Sequence, residues 1–203
     1  MRLSRRSLLV VAALPAVARA QAPALADDPR LADRFIGKED AKVQVIELFS
    51  LTCSHCAAFH RDTMPKVKSE LVDTGKVRIR FIDFPLDQLA LRAAMIARAL
   101  PAERYEPFVG TLLSTQERWA FNRRADPKEE LAKLAALAGL SRAAFDAAWD
   151  DEAFARGILE RQLAAEKEHK VTSTPSFVID GKTTAGAIGF DRFAELVSAA
   201  TPS

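Results

Sequence analysis

The spacing of apolar side chains changes along the chain and marks out its elements. In residues 42–50 (KVQVIELFS), Val43, Val45, Glu47 and Phe49 alternate with Gln44, Ile46 and Leu48. Both faces are mostly apolar, as in a central strand covered on each side. Residues 77–84 (VRIRFIDF) show the same period of two. Between them a helical pattern runs from about Cys53 to Val72, where Pro65 predicts a kink and Asp73-Thr74-Gly75 closes the helix. A strand, a helix and a strand with short joints make a βαβ unit with a parallel pair.

Residues 87–170 are rich in Ala and Leu, have few β-branched runs and predict four or five helices. Asp126-Pro127 with Glu129 is a helix start, Gly139 ends that helix, and Ser141 and Asp150 are caps for the next two. Trp119 and Trp149 are expected in the core of this helical insert. Strand character resumes at residues 175–180 (PSFVID), and Asp180-Gly181 predicts a two-residue hairpin returning through residues 182–185. Residues 190–200 close the chain as an amphipathic helix, with Phe190, Phe193, Leu196 and Val197 on one stripe. The expected architecture is an α/β fold of order βαβ, helical insert, ββα, in one domain over residues 41–203. Residues 21–40, rich in Pro, Ala and Asp, read as a leader.

Composition adds exclusions. The 203 residues are 49% hydrophobic and 28% charged, enough for a core and too evenly charged for a polytopic membrane protein. Two cysteines exclude a multi-disulfide scaffold and a four-cysteine zinc site within one chain. The first twenty residues read as a secretory signal: a basic start (MRLSRR), an apolar run broken by Pro15, and Ala18-Arg19-Ala20 as the cleavage site. Ser4-Arg5-Arg6 has the twin arginine but lacks the Phe and Lys of such signals, which favours ordinary secretion. Cleavage removes Arg2, Arg5, Arg6 and Arg19, leaving 25 cations against 27 acids and a net charge of −2. No nucleic-acid footprint follows from that balance, and export would place both cysteines where disulfides persist.

Cys53-Ser54-His55-Cys56 follows directly on the first long strand, where a helix begins. At a helix N-terminus, free N–H groups and the helix dipole favour a thiolate at Cys53, and His55 adds a donor or cationic neighbour. Stabilising that thiolate stabilises the reduced form and makes the disulfide more oxidising. Cys56, one turn in, would be the buried resolving thiol. A purely structural disulfide is disfavoured because so small a loop stabilises little. Metal binding is the rival, since Cys53, His55, Cys56 and His60 lie within eight positions. However, adjacent His55 and Cys56 point to different helix faces, and no second ligand pair exists in the chain.

With this motif and Thr174-Pro175 before the last strand pair (TSTPSFVID), the chain resembles the DsbA-like thiol–disulfide oxidoreductases of the thioredoxin fold. The resemblance covers nearly all of residues 42–200, including Gly37 with Asp40-Ala41 and the segment Asp83-Phe84-Pro85-Leu86. It implies a cis peptide bond at Pro175, with Thr174 and Pro175 holding an extended substrate peptide across from the cysteines. It further implies a periplasmic enzyme acting on reduced exported proteins, with no cofactor or metal and with a DsbB-type membrane protein as reoxidant. Ser54 stands where DsbA-type oxidases commonly have proline, and Thr before the cis-proline also occurs in isomerases and reductases. A reductase or isomerase is therefore the second reading, and a periplasmic metal-binding protein the rival from another class.

Glu47 lies six residues before Cys53 on the strand that delivers the motif. As a buried acid it is a candidate for relaying a proton to Cys56, unless it is simply paired with Arg78 or Arg80. His60 reads as a surface or packing residue.

Overall fold

A computed structural model describes residues 28–200. The signal of residues 1–20 and the first part of the leader lie outside the described residues. A short 3-10 turn (Pro29–Leu31), capped by the Asp28 carboxylate accepting from Arg30 N–H, leads into β1 (Arg34–Ile36). There follow β2 (Val43–Phe49), α1 (Ser54–Asp62), α2 (Met64–Val67), one stretch of π-helix (Lys68–Val72) and β3 (Val77–Asp83). The insert comprises α3 (Gln88–Ala99), α4 (Ala102–Ser114), α5 (Gln116–Trp119), α6 (Pro127–Leu137), α7 (Arg142–Trp149) and α8 (Glu152–His169). The chain closes with β4 (Ser176–Ile179), β5 (Lys182–Ala185) and α9 (Phe190–Ser198).

The five strands form one sheet in the order β1-β3-β2-β4-β5. β2 and β3 are parallel, and every other pairing is antiparallel. This is the expected α/β fold, with three local corrections. The insert holds six helices rather than four or five. Pro29–Leu31 and Arg34–Ile36, assigned to the leader, belong to the fold: Leu31 is buried, and β1 pairs with β3 through Phe35 opposite Arg80. Gly37 makes the step from β1 to β2 possible, at φ +95° and so close to β3 that a Cβ would sit 2.6 Å from the Val77 carbonyl oxygen. Finally, the motif helix breaks at Thr63, so Pro65 stands in the first turn of α2, where its missing N–H costs nothing.

Other signals are reproduced locally. Asp126 and Ser141 cap α6 and α7, while Asp151 rather than Asp150 caps α8 by accepting from Phe154 N–H at 2.9 Å. Asp180 and Gly181 both have positive φ, the geometry of a type I′ hairpin. The alternation in β2 serves two cores. Val43, Val45 and Phe49 join the larger one with α1, α2, α9 and the insert helices. Leu48 joins Ile82, Phe84, Ala165, Val171 and Val178 on the other face, beneath α8. Trp119 is fully buried, and Trp149 stacks on Phe145 at 5.6 Å. Among the described residues no helix is long and apolar enough to cross a membrane.

Candidate active site

The C-terminal end of β2 delivers the motif. Cys53 is the N-cap residue of α1 and Cys56 lies one turn inside it. Both are free thiols, with Cys53 9% exposed and Cys56 fully buried. Ser54 and His55 are exposed. The loop before α1 is held from the insert by Gln116 of α5. Its buried side-chain amide donates to the carbonyls of Leu51 at 2.7 Å and Cys53 at 3.1 Å. No sequence signal distinguishes Gln116, a lone amide in a polar helical stretch, from a surface residue.

From the other side, β4 brings up Thr174 and Pro175, joined by a cis peptide bond. The Cys53 thiol donates to the Thr174 carbonyl at 3.3 Å. The Thr174 hydroxyl is buried and, among the described residues, has no partner beside the neutral thiol, so it is free to donate once the sulfur is ionised.

These contacts split the two thiols. The Cys53 pKa falls to about 5, chiefly because the Cys56 thiol donates to its sulfur. Burial opposes that fall, and the Thr174 hydroxyl and the main-chain N–H groups of Cys56 and His55 add to it. The pull from residue 55 thus comes from its backbone. Cys56 moves the opposite way: burial pushes its thiol far up, reinforced by the Cys53 sulfur and the Glu47 carboxylate. One sulfur is anionic at neutral pH, and the other is held protonated.

The sign of the linkage follows from the depressed value. A folded-state pKa of about 5 favours the reduced fold above the unfolded thiol's pKa, and that advantage is lost as pH falls through 5. Alkylation of reduced protein by iodoacetamide should therefore reach half its maximal rate near pH 5. Thr174→Val should move that midpoint upward; an unmoved midpoint would show that the hydroxyl does not reach the thiolate.

Glu47 is fully buried, and its partner is neither Arg78 nor Arg80. In the parallel register Glu47 stands opposite Phe81, which sends the two arginines to the other face of the sheet. Arg80 pairs there with Asp33 at 2.9 Å, and Arg78 lies over the Phe35 ring. Glu47 Oε1 instead lies 2.8 Å from Nε2 of His60, whose side chain is only 5% exposed. The expectation of His60 as a surface or packing residue gives way to a buried acid–imidazole pair one turn beyond Cys56. The His60 Nε2 is therefore engaged by Glu47. Among the described residues no group of three His, Cys, Asp or Glu side chains could hold a metal ion.

A family model described as thioredoxin matches residues 30–199. A Rickettsia typhi protein named as a protein-disulfide oxidoreductase is 28% identical over 153 residues, 75% of this chain and 56% of that protein. The chain thus spans little more than half the length of that curated relative. Disulfide bond formation protein D of Bacillus subtilis is 22% identical over 80% of this chain and 74% of its own. The crystal structure of Wolbachia pipientis α-DsbA1 superposes with a TM-score of 0.75 at 30% identity, covering 82% of this chain and 89% of that one.

Proposed function

We propose, from the premise that this chain belongs to the thioredoxin family and is DsbA-like within it, that it introduces disulfide bonds into exported proteins in the periplasm. The observation that carries the oxidising direction is the split between the thiols, with Cys53 at about 5 and Cys56 far above the thiol range. A thiol this acidic is a good leaving group and a stable end state, so the Cys53–Cys56 disulfide tends to accept electrons.

In the forward reaction a substrate thiolate attacks Sγ of Cys53 and the Cys53–Cys56 bond breaks. Cys56 leaves with the electron pair and takes up a proton, while Cys53 carries the substrate as a mixed disulfide. A second substrate thiolate then attacks the substrate sulfur and expels Cys53 as its stabilised thiolate. The substrate loses two electrons and its disulfide forms; the enzyme becomes the dithiol. Thr174 and Pro175 hold the substrate's main chain beside Cys53, a mode that tolerates many sequences. Residues 1–20 direct export, and a DsbB-type membrane protein restores the disulfide. No cofactor enters the cycle.

Equilibration with glutathione buffers tests this reading. The expected reduction potential lies toward about −120 mV, the oxidising end of the range for thioredoxin-fold enzymes. A value near about −270 mV would instead make the protein a reductase fed by an electron donor.

A further inference from the structure

The side of the sheet covered by α8 carries a second concave site. A cavity of about 230 Å³ lies between α8, β3 and the turn before β1. Neither cysteine, Thr174 nor Pro175 lines it. Ile158, Ala164 and Ala165 of α8 supply an apolar part of the lining. Arg80 of β3, Arg98 of α3, Arg161 of α8 and Asp33 supply a charged part.

Positive charge is in excess around Asp33. Arg80 Nη2 donates to Asp33 Oδ1 at 2.9 Å, and Arg161 Nη2 donates to the same oxygen. One carboxylate thus serves two guanidinium groups. Arg98 and Asp83 balance each other and leave nothing over for Asp33. Arg80 Nε is buried and, among the described residues, has no acceptor. A cationic donor taken out of water without an acceptor is unfavourable. The same excess is felt at Arg34 of β1, whose pKa is lowered by burial and then by the Arg98 charge, with Arg161 adding to it and Tyr105 and Asp83 opposing. The remaining acid of the lining is Glu168, but its side chain is 73% exposed and lies 3.8 Å from His169 Nε2.

We propose that this cavity binds a small organic carboxylate, the size of propionate or butyrate, through Arg80 and Arg161. A planar carboxylate matches the fork of a guanidinium group and accepts from it in parallel. Its charge offsets the cation that Asp33 leaves unbalanced, and its oxygens supply the acceptor that Arg80 lacks. The hydrocarbon end rests on Ile158, Ala164 and Ala165, a contact that phosphate or sulfate cannot use. Size limits the chain, since pockets for drug-sized ligands run to about 300–1,000 Å³ and this one is smaller. The site stands apart from the cysteine motif, so the inference holds whichever way the redox pair runs.

The test is a titration of the isotope-labelled protein with butyrate, followed by NMR at an ionic strength held constant with sodium chloride. The amide signals of Asp33, Arg80 and residues 158–169 should shift saturably, with a Kd on the order of 1 mM, within reach of so few atoms. Butyramide, similar in shape but uncharged, should leave those signals in place. Phosphate should bind about 10-fold more weakly, because it buries no hydrocarbon. In Arg161→Gln, Asp33 balances Arg80 alone and no cation is left over, so butyrate should bind about 10-fold more weakly. Glu168→Gln removes the opposing charge at the rim and should tighten binding by about 2-fold. The two side chains are 39% and 73% exposed, so both variants should fold. No saturable shift in wild type, an unchanged Kd in Arg161→Gln, weaker binding in Glu168→Gln or equal binding of butyramide overturns the site. Equal binding of phosphate overturns the choice of a carboxylate.

Discussion

Cys56→Ser is expected to accumulate as a covalent complex, a mixed disulfide formed when its Cys53 thiolate attacks a disulfide peptide and expels one sulfur as thiolate, while Cys53→Ser forms no such complex. Both should lose catalytic turnover by several orders of magnitude, because the exchange needs both sulfurs. The difference between them follows from their places in α1. Cys53 caps the helix at its N-terminus, retains 9% exposure and is held near pKa 5, so it is the sulfur that meets an external thiolate and leaves easily. Cys56 is fully buried and kept protonated, so its work is intramolecular. Without it, a disulfide between Cys53 and a substrate has no internal thiol to release it. Non-reducing electrophoresis and mass spectrometry of the two variants after incubation with a disulfide peptide would read this directly. Wild-type turnover in Cys56→Ser, or a mixed disulfide through Cys56 in Cys53→Ser, would reverse the roles assigned here.

The elements around this motif were legible in the sequence because each rests on a local signal. The two-faced apolar pattern of β2, the caps Asp126 and Ser141, and the Asp180-Gly181 turn all depend on residues within a few positions of one another. β1 was not, since Arg34, Phe35 and Ile36 form too short a run to show a period and become a strand only by pairing with β3. The same distinction divides the site. The cysteine spacing and Thr174-Pro175 are compact motifs, but the partner of Glu47 depended on strand register. Either neighbouring arginine looked plausible until the parallel pairing turned both to the other face and left His60, thirteen residues away, to meet the acid. Gln116 was invisible for a similar reason: its amide matters only because the insert folds back over the motif loop.

Arg98→Met should produce the largest loss of stability without removing either redox sulfur. Arg98 of α3 is 4% exposed and its Nε donates to Asp83 at the end of β3. Its Nη1 donates to the carbonyls of Arg30 at 3.1 Å and Ala32 at 3.0 Å, tying the N-terminal turn to the helix. Tyr105 of α4 donates to the other Asp83 oxygen at 2.9 Å, and burial with the nearby carboxylate holds its phenol well above the ordinary range. Methionine fills part of the volume but leaves Asp83 as a buried charge with one neutral donor, and leaves the Arg30 and Ala32 carbonyls to the longer hydrogen bonds from Arg34. Loss of one member of a buried ion pair costs about 3–5 kcal/mol. In a domain of this size each kcal/mol is worth roughly 2–4 °C, so the melting temperature should fall by about 6–20 °C. Adding Asp83→Leu removes the stranded charge and should recover part of that loss. It should not recover all of it, because the buried Tyr105 hydroxyl loses its acceptor and the two carbonyls still lack the Arg98 donor. Thermal unfolding of the single and double variants measures both effects. A single variant as stable as wild type would mean that water reaches Asp83, and that the network contributes little to holding β3, α3 and the N-terminal turn together.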